Sequence, residues 1–468
     1  MLVAGIAVLA FDSGGYYEDA RSFAGVAAWV LFALLALVLP PDRLRLGRPA
    51  LVVLAGLALL TAWTAIAKSW SPLPDVAADD VERLVAYVGA FGAAVLACTE
   101  PAVRRWVGPA LALVAVVVVG YGLSERFLPG VLEFAESRAA VGRLAQPLTY
   151  WNAMGALAAI GLVLTVRMAA DPARRWLRVA AGAAMPLLGL GVYLSFSRAA
   201  IAAVLLGVTV LLVLTPLRGQ VAAAIIALIG GIAAAVAVTR FPSVESLTPG
   251  RDAEREGLEM LLITGALCVA AGVATHLVGA GAERAAVSQA RRGVIAAVVA
   301  LVVLIPVIGA PLALEAGDAP DRGAEASRLS SIGSNRYEYW RVALESIPDH
   351  PVKGVGPGAF HVVWMRERPI DEAPHDAHSL QLETAMELGL TGLGLLMITA
   401  GAVIAAGAGA LRRRPAAVAG AVAALVAWAT TTSVDWIWEM PALALIGLLL
   451  SAAVLGEARA ARESEAAG

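Results

Sequence analysis

Long apolar blocks with few charged residues are the feature that most constrains this chain. Fourteen such blocks alternate with polar loops along the 468 residues. Most approach the roughly 20 residues that a helix needs to cross a hydrocarbon core about 30 Å thick. We therefore predict an all-α polytopic membrane protein with about 14 transmembrane helices. The predicted spans lie near residues 1–11, 23–39, 50–67, 83–99, 103–123, 152–169, 177–195, 199–215, 220–238, 258–280, 294–314, 386–410, 416–433 and 441–456.

The composition agrees with a membrane environment and excludes several other classes of protein. Apolar residues make up 59% of the chain and charged residues 15%, well below the quarter that is usual in soluble domains. The formal net charge is −2, so no basic excess is available to neutralise phosphates, and we exclude nucleic acid as a partner. Cys98 and Cys268 both lie inside apolar blocks and offer neither a disulfide framework nor metal-ligand spacing.

Arginine-rich loops alternate with acidic loops, and this alternation predicts the orientation. The arginine-rich loops contain Arg43, Arg45 and Arg48, then Arg104 and Arg105, then Arg174, Arg175 and Arg178, then Arg218, then Arg284, Arg291 and Arg292, then Arg412, Arg413 and Arg414. The alternate loops carry Asp12, Glu18, Asp19, Asp75, Asp79, Asp80, Asp435 and Glu439. Because positive loops stay in the cytoplasm, we predict a multi-pass protein of the inner or plasma membrane with both termini cytoplasmic. Residues 1–11 lack a basic start and a cleavage site, so we interpret them as a span.

One polar stretch, residues 315–385, is much longer than the other loops, and it divides the chain. The charge alternation places it on the extracytoplasmic side, and we expect short helices in it, one of them over residues 334–347. An N-terminal bundle of about 11 spans (residues 1–314) precedes this loop. A three-span unit (386–456) and a cytoplasmic tail (457–468) follow it. Four of the five histidines lie in the loop, which makes it a candidate functional region.

Polar side chains gather at the predicted outer ends of the spans, whereas the span centres are nearly free of charge. Clean centres lack the chain of acidic residues that an ion-coupled carrier needs. With the long loop, we expect the outer residues to line one cavity. They are Gln146, Tyr150, Asn152, Ser195, Ser197, Arg198, Arg240, Asp435, Trp436, Trp438 and Glu439.

Arg198 lies in a very short outer turn, Ser195–Arg198, against the charge rule. A guanidinium binds phosphate oxygens bidentately and does not lose its charge, so Arg198 is a candidate phosphate clamp. An arginine that extends to the lipid headgroups is equally consistent with this position.

Two motifs in the long loop supply further candidates. Arg336 and Trp340 are one helical turn apart and share a face. Gly354, Gly356 and Gly358 then permit a tight backbone that could approach a ligand, although a structural turn is the more common reason for such glycines.

The last motif begins with His375, Asp376 and His378 and runs on through Glu387 and Gly389. The histidines are close enough for a metal site, but no second cluster of ligands accompanies them, so we expect none. A histidine that hydrogen-bonds to a hydroxyl or accepts its proton is the simpler interpretation. A histidine that caps the following span is the structural alternative.

The order of these motifs resembles the O-antigen ligase / O-antigen polymerase family, which also contains protein O-oligosaccharyltransferases. The resemblance covers about residues 140–456 and is densest over 334–395. It rests on the Ser-Arg turn, Arg-x-x-x-Trp, Pro-x-x-Gly-x-Gly-x-Gly-x-Phe, and a His-Ser pair followed by Glu-x-Gly-x-x-Gly. Members commonly carry His-Asn where this chain has His378-Ser379, and they usually have about twelve spans.

The resemblance implies a metal-independent GT-C-type glycosyltransferase without a cofactor. It would move a glycan from a polyprenyl-diphosphate carrier to a hydroxyl of a glycan, lipid or protein acceptor, among membrane lipids at the extracytoplasmic face. The family's loop histidine maps onto His378 and its arginines onto Arg198, Arg336 and Arg240. We expect His378, Arg198 and Arg336 to be catalytic. We expect the substrate-binding residues to be Arg240, Asn152, Trp340, Gly356, Gly358, Glu387 and Asp435.

Several functions remain open at this point. O-antigen ligase, polysaccharide polymerase and protein O-oligosaccharyltransferase share the donor chemistry and differ in the acceptor, which the sequence does not reveal. A transporter of lipid-linked glycan and a non-catalytic partner of an envelope complex are the alternatives of other classes. The clean span centres and the lack of paired broken spans favour an enzyme over a transporter.

Overall fold

A computed structural model describes residues 1–131, 134, 139–171, 173–215, 218–248, 252–279, 324 and 334–466. Within these ranges all regular secondary structure is helical, as predicted. The predicted span 294–314 and the first part of the long loop lie outside the described residues.

The described helices follow one another along the chain with short connections. They are α1 (Leu2–Ala10), α2 (Glu18–Val38), α3 (Pro41–Leu44), α4 (Arg48–Ala67), α5 (Pro74–Ala97), α6 (Pro101–Phe127), α7 (Trp151–Met168), α8 (Arg175–Leu194), α9 (Arg198–Leu214), α10 (Arg218–Val238), α11 (Pro242–Glu245), α12 (Ala253–Val278), α13 (Arg336–Ser346), α14 (Phe360–Glu367), α15 (Leu380–Arg413), α16 (Pro415–Thr432) and α17 (Pro441–Ala466). Short 3₁₀ helices lie at Ser13–Gly15, Lys68–Trp70, Ile347–Asp349 and Ile437–Glu439.

Ten of these helices are long and apolar enough to cross a membrane, which fits a polytopic membrane protein. They are α2, α4, α6, α7, α8, α10, α12, α15, α16 and α17. The expected number of fourteen is not confirmed. In the described residues, α5 carries several charges near its start and α9 has 17 residues. The α1 helix has nine residues, about 14 Å of helix, so the interpretation of residues 1–11 as a full span is not supported.

The long loop ends earlier than its predicted boundary at residue 385. Helix α15 already begins at Leu380, and Ser379 caps it by accepting a hydrogen bond from the backbone N–H of Leu382 at 3.5 Å. At Gly389 the backbone turns to φ 66°, which breaks α15 near its start. At the other end of the chain α17 continues to Ala466, so the described part of the predicted tail is helical.

Helix α7 lies at the centre of the bundle. Fifteen of its 18 residues are buried, and it packs against α6, α8, α9 and α16. Small residues allow this close approach: a Cβ added at Gly155 would lie 2.5 Å from the Ser195 hydroxyl. The start of α7 is thereby fixed beside the turn between α8 and α9.

The two ends of the bundle differ in charge. Helix α17 begins directly after Glu439 and reaches Glu457 roughly 24 Å further along its axis. At that far end Arg104 donates to Glu457 at 2.8 Å and Arg414 donates to it at 3.2 Å. The arginine-rich loops that contain Arg104 and Arg414 therefore lie opposite the end that carries Glu439. We call the end that contains residues 149–152, 195–198, 376–383 and 435–439 the polar end.

The described part of the long loop forms a small core of its own at the polar end. Tyr339 and Trp340 of α13 pack against Phe360 and Trp364 of α14, and all four are buried. Helix α13, Arg336–Ser346, confirms the helix predicted over residues 334–347. This small core holds α13 above the membrane helices.

Substitution of Gly389 tests whether the break in α15 contributes to stability. Its φ of 66° and ψ of −173° are open only to glycine, and an added Cβ would lie 2.2 Å from the Val352 carbonyl oxygen. We expect Gly389→Ala to destabilise the protein by at least about 2 kcal/mol, seen as a lower unfolding temperature in detergent. Gly394→Ala in the same helix is the control, since nothing lies within 4 Å of its added Cβ. Equal unfolding temperatures for the two variants would contradict this account.

Candidate functional site

A buried carboxylate, Asp435, organises the polar end. It is 1% exposed and lies in the loop between α16 and α17. Its Oδ2 accepts a hydrogen bond from Nη2 of Arg336, the first residue of α13. Its Oδ1 accepts hydrogen bonds from the Tyr150 hydroxyl at 2.7 Å and from the backbone N–H of Trp436 at 2.9 Å. One side chain thus joins the start of α7, the long loop and the C-terminal unit.

The ion pair between Arg336 and Asp435 influences the pKa values of the side chains in this network. Burial alone would lower the pKa of Arg336, but the charge of Asp435 and the interactions with Tyr150 outweigh it, and the pKa is raised. Burial and the charge of Asp435 raise the pKa of Tyr150 well above its ordinary value. At neutral pH the guanidinium is therefore charged and the phenol remains a hydrogen-bond donor.

Asn152 extends the same network from the first turn of α7. Its Nδ2 donates to the Tyr150 hydroxyl at 2.8 Å, and both side chains are buried. Asn152 was predicted as a substrate-binding residue. In the structure it lies behind Tyr150, and Tyr150 separates it from Arg336. Tyr150 itself was named only among the outer polar residues; its bond to Asp435 is a tertiary contact that no local motif reveals.

His378 lies beside this network in an unusual backbone conformation. Its φ is 55°, in the left-handed region, where histidine is uncommon. Its Nδ1 lies 3.0 Å from the carbonyl oxygen of Asp376, and its own carbonyl oxygen accepts the indole N–H of Trp340 at 3.3 Å. Trp340 therefore positions the histidine loop from the buried core of α13 and α14.

The environment of the His378 ring fixes its proton state. Burial lowers its pKa, and the charge of Asp435 opposes that shift only in part. A carbonyl oxygen accepts hydrogen bonds but cannot donate one, so Nδ1 beside Asp376 carries the ring proton. Nε2 is then the unprotonated nitrogen at neutral pH.

Ser379 explains how this chain can differ from the commoner His-Asn pair. Its hydroxyl caps α15. Serine and asparagine are about equally good at this capping position, so the exchange keeps the local geometry that presents His378.

Glu387, Gly356 and Gly358 were predicted to bind substrate, and the structure shows them in contacts that fold the loop. The Glu387 carboxylate accepts the backbone N–H of Phe360 at 3.0 Å. An added Cβ at Gly356 would lie 2.5 Å from the Cα of Ser71. These contacts favour the structural turn that the sequence left as the alternative.

Arg198 starts α9 at the polar end and is half-buried. Its level in the bundle follows from helix packing. Gly207 lies beside Ala423 of α16, and α9 runs antiparallel to α16, so Arg198 lies roughly 14 Å from that crossing, towards the end of α16. It therefore shares the polar end with Asp435. Arg240 also follows a helix that ends on this side, and its side chain is exposed.

A second group of acidic side chains lies next to the His378 loop. Oxygen atoms of Asp376, Glu383 and Glu439 lie within 4.8 Å of one another and could hold a metal ion. Arg83 of α5 donates to Glu439 at 3.1 Å and also pairs with Asp80. Burial raises the pKa of Asp376 well above its usual range and that of Glu439 to about 7.

Glu439 was expected to line the outer cavity and Asp376 was noted in the histidine motif, but their grouping with Glu383 was not predicted. The run of charged residues near the start of α5, which includes Asp80 and Arg83, was the available signal. It was interpreted only as an acidic outer loop, because its partners come from distant parts of the chain.

Comparison with known families adds an independent observation. Residues 260–397 match the family model described as O-antigen ligase, whereas no curated protein matches the chain. The matched segment contains Arg336 and His378, and it includes the region 334–395 where the motifs are densest. Asp435 and the rest of the network lie outside it. The resemblance to the O-antigen ligase family inferred from the motifs is thus confirmed for residues 260–397.

Proposed function

We propose that the protein is a membrane glycosyltransferase of the O-antigen ligase type with a GT-C-like fold. It transfers a glycan from a polyprenyl-diphosphate carrier to a hydroxyl of a glycan, lipid or protein acceptor. The observation that carries this proposal is the juxtaposition of the charged pair Arg336–Asp435 with His378. Arg336 begins α13, and Trp340 of the same helix donates to the His378 carbonyl oxygen at 3.3 Å. Arg336 can bind the leaving diphosphate, and His378 can accept the proton of the attacking hydroxyl.

The reaction needs two charge movements. The acceptor oxygen forms a bond to the anomeric carbon of the sugar, and the bond between that carbon and the diphosphate oxygen breaks. The electron pair of the broken bond stays on the diphosphate, and the hydroxyl proton must go to a base. A site for this reaction therefore needs a fixed positive charge and a proton acceptor a few ångströms apart.

His378 is our proposed proton acceptor. Its Nδ1 proton is committed to the Asp376 carbonyl, which leaves Nε2 free to receive the proton of the acceptor hydroxyl. The imidazolium that forms is stabilised by the nearby charge of Asp435. In catalytic histidines one ring nitrogen commonly donates a hydrogen bond that orients the ring, and the other accepts the proton.

Arg336 is our proposed diphosphate-binding group. A guanidinium has five N–H donors in a fixed fork, and Asp435 holds one end of that fork without removing the positive charge. Arg198 at the same end of the bundle is the second candidate. Two arginines supply the charge that a metal ion would otherwise provide, so we propose a metal-independent reaction.

We place the polar end on the extracytoplasmic side of the membrane. The opposite end carries the arginine-rich loops of Arg104 and Arg414 and the C-terminal part of α17, and positive loops remain in the cytoplasm. A polyprenyl-linked donor then reaches the site through the bilayer, between the apolar helices.

Substitution of His378 tests its role as a base. His378→Ala should abolish glycan transfer. It should leave membrane insertion unchanged, because insertion depends on the apolar helices and the imidazole contacts loop residues, the Asp376 carbonyl and the Tyr339 ring. His350→Ala, at an exposed histidine of the same loop, should transfer normally. Transfer is measured as polymer or glycolipid formed in membranes. Normal transfer by His378→Ala would refute the assignment.

The pH dependence of transfer follows from the same residue. Protonated His378 cannot accept a proton, and burial holds its pKa below the usual 6.5. We expect the transfer rate to be constant from neutral pH down to about pH 6.5 and to fall only in more acid solution. A histidine-dependent loss of rate that begins above pH 7 would contradict the proposed proton state.

Arginine-to-lysine exchanges test the proposed diphosphate clamp. Arg336→Lys and Arg198→Lys keep the charge but lose the fork, and we expect transfer to fall about 10- to 100-fold. Arg341→Lys is the matched control, because Arg341 lies in α13 but pairs with Glu338 and Glu345. Full activity of Arg336→Lys would show that the fork is not needed.

A further inference from the structure

Aromatic rings form a row beside the Arg336–Asp435 pair. The Trp436 ring lies 4.6 Å from that of Tyr150 and 5.4 Å from that of Tyr16, centroid to centroid. The Tyr16 ring lies 5.6 Å from that of Tyr17, which is 62% exposed. We call Tyr17, Tyr16, Trp436 and Tyr150 the aromatic row.

The N-terminal part of the chain supplies half of this row. Gly14 and Gly15 pack so closely on the start of α17 that an added Cβ at Gly14 would lie 2.5 Å from the Met440 side chain. Both glycines have a positive φ. This tight turn, directly after α1, brings Tyr16 against Trp436. The row lies entirely outside residues 260–397, so the family match does not account for it.

Hydrogen-bonding groups flank the row on both sides. Tyr150, at one end, is bonded to the Asp435 carboxylate. Near Tyr16, the carboxylates of Glu439 and Asp376 are close enough to help burial raise the pKa of the Tyr16 hydroxyl to about 12. Flat apolar rings between carboxylates match a sugar, which has apolar C–H faces and a rim of hydroxyl donors.

The row differs from the aromatic belt that membrane proteins place at the lipid interface. Tyr150 is only 8% exposed, and Trp436 follows the buried Asp435 and lies between two tyrosine rings. The inner part of the row is joined to the charged network, because the Tyr150 hydroxyl and the Trp436 backbone N–H both donate to Asp435. Only Tyr17, at the outer end, is largely exposed.

We propose that the aromatic row binds the saccharide unit that is joined directly to the diphosphate of the donor. The inference rests on the proposed function, because it takes Arg336 as the diphosphate-binding group. The first sugar is one bond away from the diphosphate, and Trp436 is the residue next to the partner of Arg336. A diphosphate held by Arg336 therefore brings its first sugar against Trp436 and Tyr16.

Binding measurements on the purified full-length protein in lipid nanodiscs test this inference. One probe is the polyprenyl-diphosphate-linked glycan extracted from cells that lack the protein. The other is polyprenyl diphosphate without sugar. We expect the glycan-bearing probe to bind more tightly to the wild-type protein. Tyr17→Ala and Trp436→Phe should weaken the affinity for that probe about three- to tenfold. They should leave the affinity for polyprenyl diphosphate without sugar unchanged.

Trp176→Ala is the control for loss of an exposed aromatic ring. Trp176 is 63% exposed and starts α8 at the opposite end of the bundle, so its loss should change neither affinity. Because Tyr17 is exposed, Tyr17→Ala should fold even if Trp436→Phe does not.

Two results would overturn the inference and leave the proposed function standing. One is an equal loss for both probes, which would mean that the row contacts lipid. The other is no loss for either probe while Arg336→Lys weakens both. If neither probe binds the wild-type protein, the proposed function fails together with the inference.

Discussion

The buried charge of Asp435 is the constraint on which the polar end depends. A carboxylate that is 1% exposed costs several kcal/mol to bury unless a cation and hydrogen bonds compensate for lost water. Arg336 and Tyr150 provide that compensation, and they come from parts of the chain that are far apart in sequence. The same carboxylate therefore assembles the loop, the central helix and the C-terminal unit. It also orients the guanidinium that we propose to bind diphosphate and supports the charge that forms on His378.

Much of this arrangement could be predicted because its signals are local. Apolar blocks of the right length identify membrane helices wherever they pack, and the helix over Arg336–Ser346 has a local pattern of its own. Arg336 and His378 were predicted from motifs in the long loop and from the family resemblance. Asp435 was predicted because it is a charged residue at the outer end of two spans, where such residues are often functional. The structure brings these three together at one end of the bundle.

Other parts could not be predicted, because they depend on contacts between distant segments. The glycines at 356 and 358 fit either a ligand or a turn, and the sequence does not reveal the approach of Ser71 to Gly356 and of Val76 to Gly358 that favours the turn. Arg83 and Tyr16 belong to N-terminal helices and turns without a motif, so their place beside Glu439 was invisible in the sequence. The first apolar block looked like a span, but helix α1 ends at Ala10, before the turn at Gly14 and Gly15.

The central claim is that the polar end cleaves the bond between glycan and polyprenyl diphosphate. Its most direct test is to reconstitute the purified protein in vesicles in the presence of EDTA. The vesicles contain lipid-linked glycan and acceptor that are extracted from cells lacking this protein. The quantity to measure is free polyprenyl diphosphate. We predict one molecule released for each glycan transferred. Glycan that crosses the bilayer while still attached to its carrier, with no diphosphate released, would contradict the account.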